Sequence, residues 1–352
     1  MKKVSVVMPV YNMEDRIVIS IEALLNQTYS NIEIILVDDG SSDNSYQVCL
    51  DFARLHSQVK VFHTENKGAG PARNVGIAIA SGDYIYFPDA DDFLDEEALQ
   101  KLVQTMITET CDLIVFGFQQ VSHDGKVQVV REYKKRSVSG EMVRSHYEEY
   151  LSFRQPFWIQ GAPWNKFFDL SIIKNNNVIF PDMRRHQDEV FISRYMTYAE
   201  QIQFIPNILY TYYANDVKKE WDKYPLDYLD IAMELKRQRE KIILAWNPYN
   251  IQVKDIINRE YIFNTVKGLE LSFSKKANFN SQQRKKWLKD MIEKTGLIEL
   301  DIPSTSHMKY QALVMKLVKE KRWRQVYYLL FTKVFLQKNM YTLFRKLKAW
   351  QA

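Results

Sequence analysis

Asp89, Asp91 and Asp92 crowd into four positions, directly after the apolar run YIYFP at 84–88. A buried strand that ends in three carboxylates is electrostatically expensive, because like charges this close repel and raise one another's pKa values. A hard divalent cation, Mg²⁺ or Mn²⁺, is the natural partner, since it takes carboxylate oxygens and keeps positions free for a substrate's phosphates. The competing reading is an acidic cap, with Asp92 or Asp95 opening the helix of DEEALQKLVQTM. Two further polar clusters carry the same signature. Asp38-Asp39-Gly40-Ser41-Ser42-Asp43 follows the apolar run IEIILV, and Tyr11-Asn12 follows VSVVMPV. Carboxylates at such a turn accept hydrogen bonds from a base or ribose hydroxyls, and Gly40 lets the backbone come close to a ligand.

The elements that must position these groups are legible from periodicity. Apolar runs at 4–10, 32–37, 59–63 and 84–87 read as buried strands. Amphipathic stretches at 14–27, 44–55 and 70–80 read as the helices between them. This alternation predicts an α/β fold with a mostly parallel sheet flanked by helices. Ligands bind such sheets outside the carboxyl ends of the strands, where all three polar clusters fall. Beyond 110 the pattern changes. A hairpin is expected at 112–121 and 126–133 around 123–125, and a helix at 141–151. A loop is expected at 161–166, a helix at 187–198 and a strand at 202–213. From about 216 the chain reads as helical, polar and rich in Tyr and Lys. The expected division is a catalytic domain over 1–215 and a basic helical domain over 216–352. Within the first, the polar clusters suited to a nucleotide and a metal fall in 1–100, and 101–215 completes the domain.

Composition narrows the class. The chain has 352 residues, 46% hydrophobic and 26% charged, enough for more than one core. Cys49 and Cys111 lack metal or redox spacing and read as reduced, buried thiols of a cytoplasmic protein. The apolar run after MKK is too short for a signal segment, and no window is apolar enough to span a bilayer. Charge is unevenly spread. Residues 1–100 hold 7 Lys/Arg against 16 Asp/Glu, whereas 304–352 hold 11 Lys/Arg against Glu320 alone. The basic stretch 308–350 interleaves Lys and Arg with Leu313, Leu317, Phe335 and Phe344. It reads either as a peripheral anchor on an anionic membrane or as a helical layer packed on protein, in this chain or in a homo-oligomer. No nucleic-acid module is present.

The loop NKGAGPARN at 66–74 is the remaining polar element. A dinucleotide fingerprint needs glycine at 73 and follows the first strand; here Arg73 stands there, after the third strand. A dehydrogenase is therefore excluded, and Lys67 and Arg73 are expected to meet phosphates or the metal-side carboxylates.

Taken in order, PVYN at 9–12, LLNQTY at 24–29, VDDGSSD at 37–43, NKGAGPARNVGI at 66–77 and SGDYIYFPDADD at 81–92 resemble the family 2 inverting glycosyltransferases of the GT-A fold. WNKFF at 164–168 and HQDEVFISRY at 186–195 extend the likeness more weakly. The resemblance implies that Pro9, Tyr11, Asp38 and Asp39 line the nucleotide pocket, with Asp39 on the uracil. It implies that Asp89 holds the ribose and, with Asp91, a Mn²⁺ or Mg²⁺ on the diphosphate, Ala90 lying between them. Asp92 is expected to orient its neighbours or the acceptor. The acidic pair before the later helix is Glu-Asp in the family and Gln187-Asp188 here, followed by Glu189. Asp188 is the implied general base, with Glu189 beside the acceptor. Trp164 either stacks on an acceptor sugar or belongs to the core. The implied reaction moves a sugar from a UDP-sugar to a hydroxyl of a glycan or polyprenyl-linked glycan. A nucleotidyltransferase would need a glycine-rich basic loop after the first strand, which PVYNMED is not. A non-catalytic nucleotide- or glycan-binding protein is the other alternative.

Overall fold

The computed structural model describes residues 1–122, 124–151, 157, 159, 161–214, 227–246, 251–302 and 308–340. Contacts divide the chain into two compact units, one of Met1–Asp216 with Leu244–Asn247 and one of Val217–Ile243 with Pro248–Ala352.

The first unit opens as the periodicity predicts. β1 (Val4–Val10), α1 (Ile17–Leu25), β2 (Ile32–Asp38), α2 (Ser45–Leu55), β3 (Val59–His63), α3 (Ala69–Ile79) and β4 (Tyr84–Tyr86) alternate along the chain. Among them β1 pairs in parallel with both β2 and β4, and β2 with β3. β1 and β2 are buried almost throughout, as expected of strands covered on both faces. The parallel register places Val10 opposite Asp38, so the Tyr11 and Asp39 loops leave the sheet side by side.

The second half of this unit mixes directions. It contains β5 (Phe93–Leu94), α4 (Ala98–Glu109), β6 (Leu113–Ser122), β7 (Val127–Arg131), β8 (Arg136–Ser139), α5 (Gly140–Ser145), α6 (Tyr147–Leu151), β9 (Lys166–Asp169), α7 (Leu170–Asn175), α8 (Gln187–Met196) and β10 (Gln201–Ala214). The main strand order is β3-β2-β1-β4-β9-β6-β10-β5, with β7 on β6 and β8 on β10. β6 and β7 form the expected hairpin; His123 in its turn lies outside the described residues. Three details differ from the sequence reading. The stretch 141–151 is two short helices, separated at His146, whose φ of −114° and ψ of 52° are not helical. The loop at 161–166 becomes a 3₁₀ turn at Pro163–Asn165 and then β9, which inserts antiparallel between β4 and β6. Four residues, KFFD, are too few to show a period. The helix expected at 187–198 ends at Met196.

The second unit is helical: α9 (Tyr228–Trp246) as far as Ile243, α10 (Ile251–Glu270), α11 (Ser281–Lys294), α12 (Lys309–Lys319) and α13 (Trp323–Asn339). Its core joins Leu229, Ile262, Leu269, Leu288, Val314 and Leu330. The basic stretch thus contributes Val314, Val318, Val326 and Leu330 to packing within this unit, while Tyr328, Phe331 and Phe335 face solvent. Residues 341–350 of that stretch lie outside the described residues. No described helix is long and apolar enough to cross a membrane.

Candidate active site

The nucleotide-side loops are laced together at the carboxyl ends of β1 and β2. The Asn12 N–H donates to Ser41 Oγ at 3.0 Å, and the Ser42 N–H donates to Asn12 Oδ1 at 2.8 Å. Gly40 has φ +70°, and a Cβ there would press on the backbone N of Asn66. Only glycine adopts that conformation freely. Tyr11 presents its ring to solvent at 46% exposure, and Pro9 pairs with Val37 beneath it. Asp39 is buried, and its carboxylate accepts the Lys67 N–H at 2.8 Å and the Gly68 N–H at 2.7 Å. It therefore ties the 66–68 loop to the sheet. Asp38 is fully buried, with Oδ2 2.7 Å from His63 Nδ1 and Oδ1 without a partner among the described residues.

Lys67 reaches the strand-end acid Asp39 through its backbone N–H, and its ammonium does not meet the metal-side carboxylates. Its side chain points to solvent, 3.5 Å from Glu65. Arg73 behaves as expected for the carboxylate alternative. Its guanidinium is buried at 4% exposure, with Nη2 2.6 Å from Asp89 Oδ1 and Nη1 3.2 Å from Asp188 Oδ1. One guanidinium thus spans the strand-end acid and the acid of α8, which lie 99 positions apart in sequence.

Two contacts bring α8 to α3. Asn74 Nδ2 donates to the Phe180 carbonyl and the Phe180 N–H donates to Asn74 Oδ1, pinning the segment before α8. Gly70 then meets Gln187 so closely that any Cβ would overlap its Oε1. Phe180 also lies under the guanidinium, 5.3 Å from ring centroid to Arg73 Cζ. Asp188 faces Arg73 and is one-third exposed, whereas Glu189 is turned inward, 3.2 Å from His186 Nδ1. Burial raises the Asp188 pKa. Arg73 opposes that shift, Asp89 adds to it, and Lys166 opposes it.

The three strand-end aspartates separate into different environments. Asp89 is one-third exposed. Asp91 has its pKa raised by burial and then by Asp89, with Arg16 opposing. Asp92 is 3% exposed, accepting from Tyr210 Oη at 2.7 Å and from the Tyr213 N–H at 2.9 Å. Burial pushes its carboxyl up to about 8 against those two bonds. Of its two expected tasks, this position suits orienting neighbours and not facing an acceptor. Ser20 Oγ donates to the Ala90 and Asp92 carbonyls, which fixes the turn from below. None of the three caps α4, whose N-cap position is Glu97.

Trp164 is half-buried. Its indole stacks on Tyr210 at 4.8 Å and on Tyr212 at 5.9 Å, and stands edge-on to Phe118 at 4.7 Å. It is part of an aromatic wall attached to the core. Two contributors escaped sequence reasoning. Tyr210 joins the site through its hydroxyl, which accepts the Asp89 N–H and donates to Asp92; nothing in the run YTYY marks it out. Lys166 is 1% exposed and donates to the Ala162 carbonyl at 2.8 Å and to Asn165 Oδ1 at 2.7 Å. Nothing in WNKFFD marks that lysine for burial.

No group of three or more His, Cys, Asp or Glu is arranged to hold a metal alone among the described residues. Asp89 and Asp91 nevertheless form an all-oxygen donor pair that repels internally, which suits a hard cation whose remaining positions go to substrate oxygens and water.

Comparison with known proteins supplies the family and the fold. The family model described as glycosyl transferase family 2 matches residues 5–163. Glycosyltransferase GlyG of Streptococcus pneumoniae serotype 4 is 30% identical over 307 residues, which are 80% of this chain and 97% of that protein. The putative glycosyltransferase EpsH of Bacillus subtilis is 32% identical over 216 residues, 59% of this chain and 60% of that protein. Among solved structures, S. aureus TarS 1-349 in complex with UDP-GlcNAc has a TM-score of 0.62 at 17% identity, covering 94% of this chain and 91% of that one; it shares the fold. Matched along nearly the whole of one relative, and with ordered motifs at the ends of β1, β2 and β4, the chain belongs to glycosyltransferase family 2 and is a glycosyltransferase of the GT-A fold.

Proposed function

We propose that this enzyme moves a hexose from a UDP-sugar to a hydroxyl of a glycan or polyprenyl-linked glycan, with inversion, and that it depends on Mn²⁺ or Mg²⁺. The observation that carries this reading is the shared guanidinium of Arg73, which holds Asp89 and Asp188 on its two prongs. It joins an acid placed for the donor to an acid placed for the acceptor.

Tyr11, Pro9 and the Asp39 turn form the nucleoside side, where an exposed ring suits stacking and a fixed carboxylate suits a base N–H. Asp89 and Asp91 would hold the cation. When bound, it offsets the charge that develops on the departing diphosphate. Asp188 takes the proton of the attacking hydroxyl, as a one-third exposed carboxylate is free to do. A base facing the donor from the side away from its leaving group enforces in-line displacement and therefore inversion. Asp92, Tyr210 and Ser20 keep the Asp89–Asp91 turn in place and touch no reactant. Trp164 and Tyr212 line the aromatic wall on the acceptor side.

The test is UDP release by the purified full chain, across a panel of UDP-sugars with and without Mn²⁺. UDP-GlcNAc heads the panel because TarS was solved with it. Slow, Mn²⁺-dependent release from one sugar is expected, with an inverted anomeric centre in the product by NMR. Release from none of them, or release indifferent to metal, contradicts the proposal.

A further inference from the structure

α13 has two different faces. Val326, Leu330 and Val334 belong to the buried side of the helix, with Tyr327 beside them. On the other side Arg324, Tyr328, Phe331 and Phe335 recur at steps of four, three and four residues, which aligns them in one stripe. Arg324 is exposed, and the three rings are 60%, 43% and 46% exposed. Phe331 and Phe335 have ring centroids 6.0 Å apart, and Phe331 lies 5.8 Å from Phe273. A single exposed ring is ordinary on a protein surface, but a contiguous row marks a contact surface.

Cations frame this row. Lys285 of α11 holds its Nζ 5.3 Å from the ring centroid of Tyr327, and Tyr327 stands edge-on to Tyr328 at 5.4 Å. The Arg284 guanidinium lies 4.8 Å over Phe273, and Lys338 Nζ donates to the Phe273 carbonyl at 3.2 Å. From Lys321 to Ala352 the sequence holds 8 Lys/Arg and no Asp or Glu. That charge decides between occupants. A second copy docked on the same face would bring these cations against their own images, because a two-fold contact is self-complementary. An anionic bilayer instead meets both parts of the face at once. Its phosphates attract the cations, and the headgroup–acyl boundary takes aromatic rings. No described helix is long and apolar enough to cross a membrane, so such a contact is peripheral.

We propose that the outer stripe of α13 docks on an anionic lipid surface. Tyr328, Phe331 and Phe335 enter the headgroup–acyl boundary, and Arg324, Lys285 and Lys338 face lipid phosphates. Lys and Arg stems reach along the apolar surface and leave their charged heads at the phosphate level. Neither the sugar donor nor the general base enters this proposal.

The experiment is vesicle co-sedimentation of the purified full chain as wild type, F331S/F335S and R324Q/K285Q. Vesicles are phosphatidylcholine alone, or phosphatidylcholine with about one-third phosphatidylglycerol. Wild type is expected to sediment with the anionic vesicles, to stay in the supernatant with phosphatidylcholine, and to be released by about 0.5 M NaCl. F331S/F335S is expected to bind the anionic vesicles at least about tenfold more weakly, and R324Q/K285Q about fivefold or more. Both variants are expected to keep the wild-type circular dichroism and UDP release. If the serine variant does not fold, the glutamine variant and the salt titration decide. Wild type left in the supernatant with anionic vesicles overturns the proposal, and so does vesicle binding that the variants retain in full. A dimer in sedimentation velocity that F331S/F335S abolishes assigns the face to a second copy and overturns it too. Displacement of the vesicles by a single-stranded oligonucleotide that needs the same rings assigns the face to nucleic acid, with the same consequence.

Discussion

The two edges of the same sheet treat buried carboxylates in opposite ways. At the amino-terminal edge of β2, Glu33 accepts from Ser5 Oγ, the Ser81 N–H, Ser81 Oγ and Lys60 Nζ, with Lys3 Nζ 3.1 Å away. Burial alone would raise its pKa, but these donors hold it well below the usual range. At the carboxyl edge, burial wins at Asp91, Asp92 and Asp188, and all three are raised. A saturated carboxylate stabilises the fold. A starved cluster stores an electrostatic cost that a cation and substrate can relieve. Number of donors, rather than depth, separates the two.

The largest effect expected of this contrast is at the starved edge. Asp91→Ala should abolish Mn²⁺-dependent UDP binding by calorimetry and lower UDP release at least about 100-fold, with thermal stability close to wild type. Normal activity in that variant would remove Asp91 from the metal site. Glu33→Gln should behave in reverse. It should lower unfolding free energy in urea by about 1–3 kcal/mol near neutral pH while leaving turnover per folded molecule unchanged. The pH dependence has a definite sign. A carboxyl whose folded pKa is depressed stabilises fully above its unfolded value and loses that contribution as pH falls toward the folded one. Wild type should therefore lose stability below about pH 4.5 more steeply than Glu33→Gln does. Equal acid slopes would mean that Glu33 is not the saturated group described. The smallest effect belongs to Lys60→Ala, which removes a half-exposed partner of Glu33 and should cost under about 1 kcal/mol in the same urea assay.

The same contrast explains how far the sequence could be read. Tyr11, Asp39 and Asp89–Asp92 are attached to the ends of buried strands that alternate with helices, so their convergence follows from local pattern and parallel pairing. Asp188 was reachable because the start of α8 carries a family motif. What the sequence did not announce depends on direction and on long-range register. Lys67 bonds Asp39 with its backbone N–H and turns its ammonium to Glu65. Asp92 turns inward because β10 brings Tyr210 and Tyr213 over it. Trp164 joins an aromatic wall because Tyr210 and Tyr212 lie on one face of that strand. Lys166 became visible only when KFFD proved to be a strand inserted between β4 and β6. The boundary residues 215–226 lie outside the described residues, so the expected division near 215 rests on composition and on the two compact units.

The most direct test of the central claim is Asp188→Asn, followed by UDP affinity and UDP release on the same preparation. The structure puts Asp188 across Arg73 from Asp89. The expected result is UDP affinity within about twofold of wild type in the presence of Mn²⁺ and release lowered at least about 100-fold. Loss of UDP binding would make Asp188 a structural partner of Arg73, and wild-type release would show that proton removal happens elsewhere.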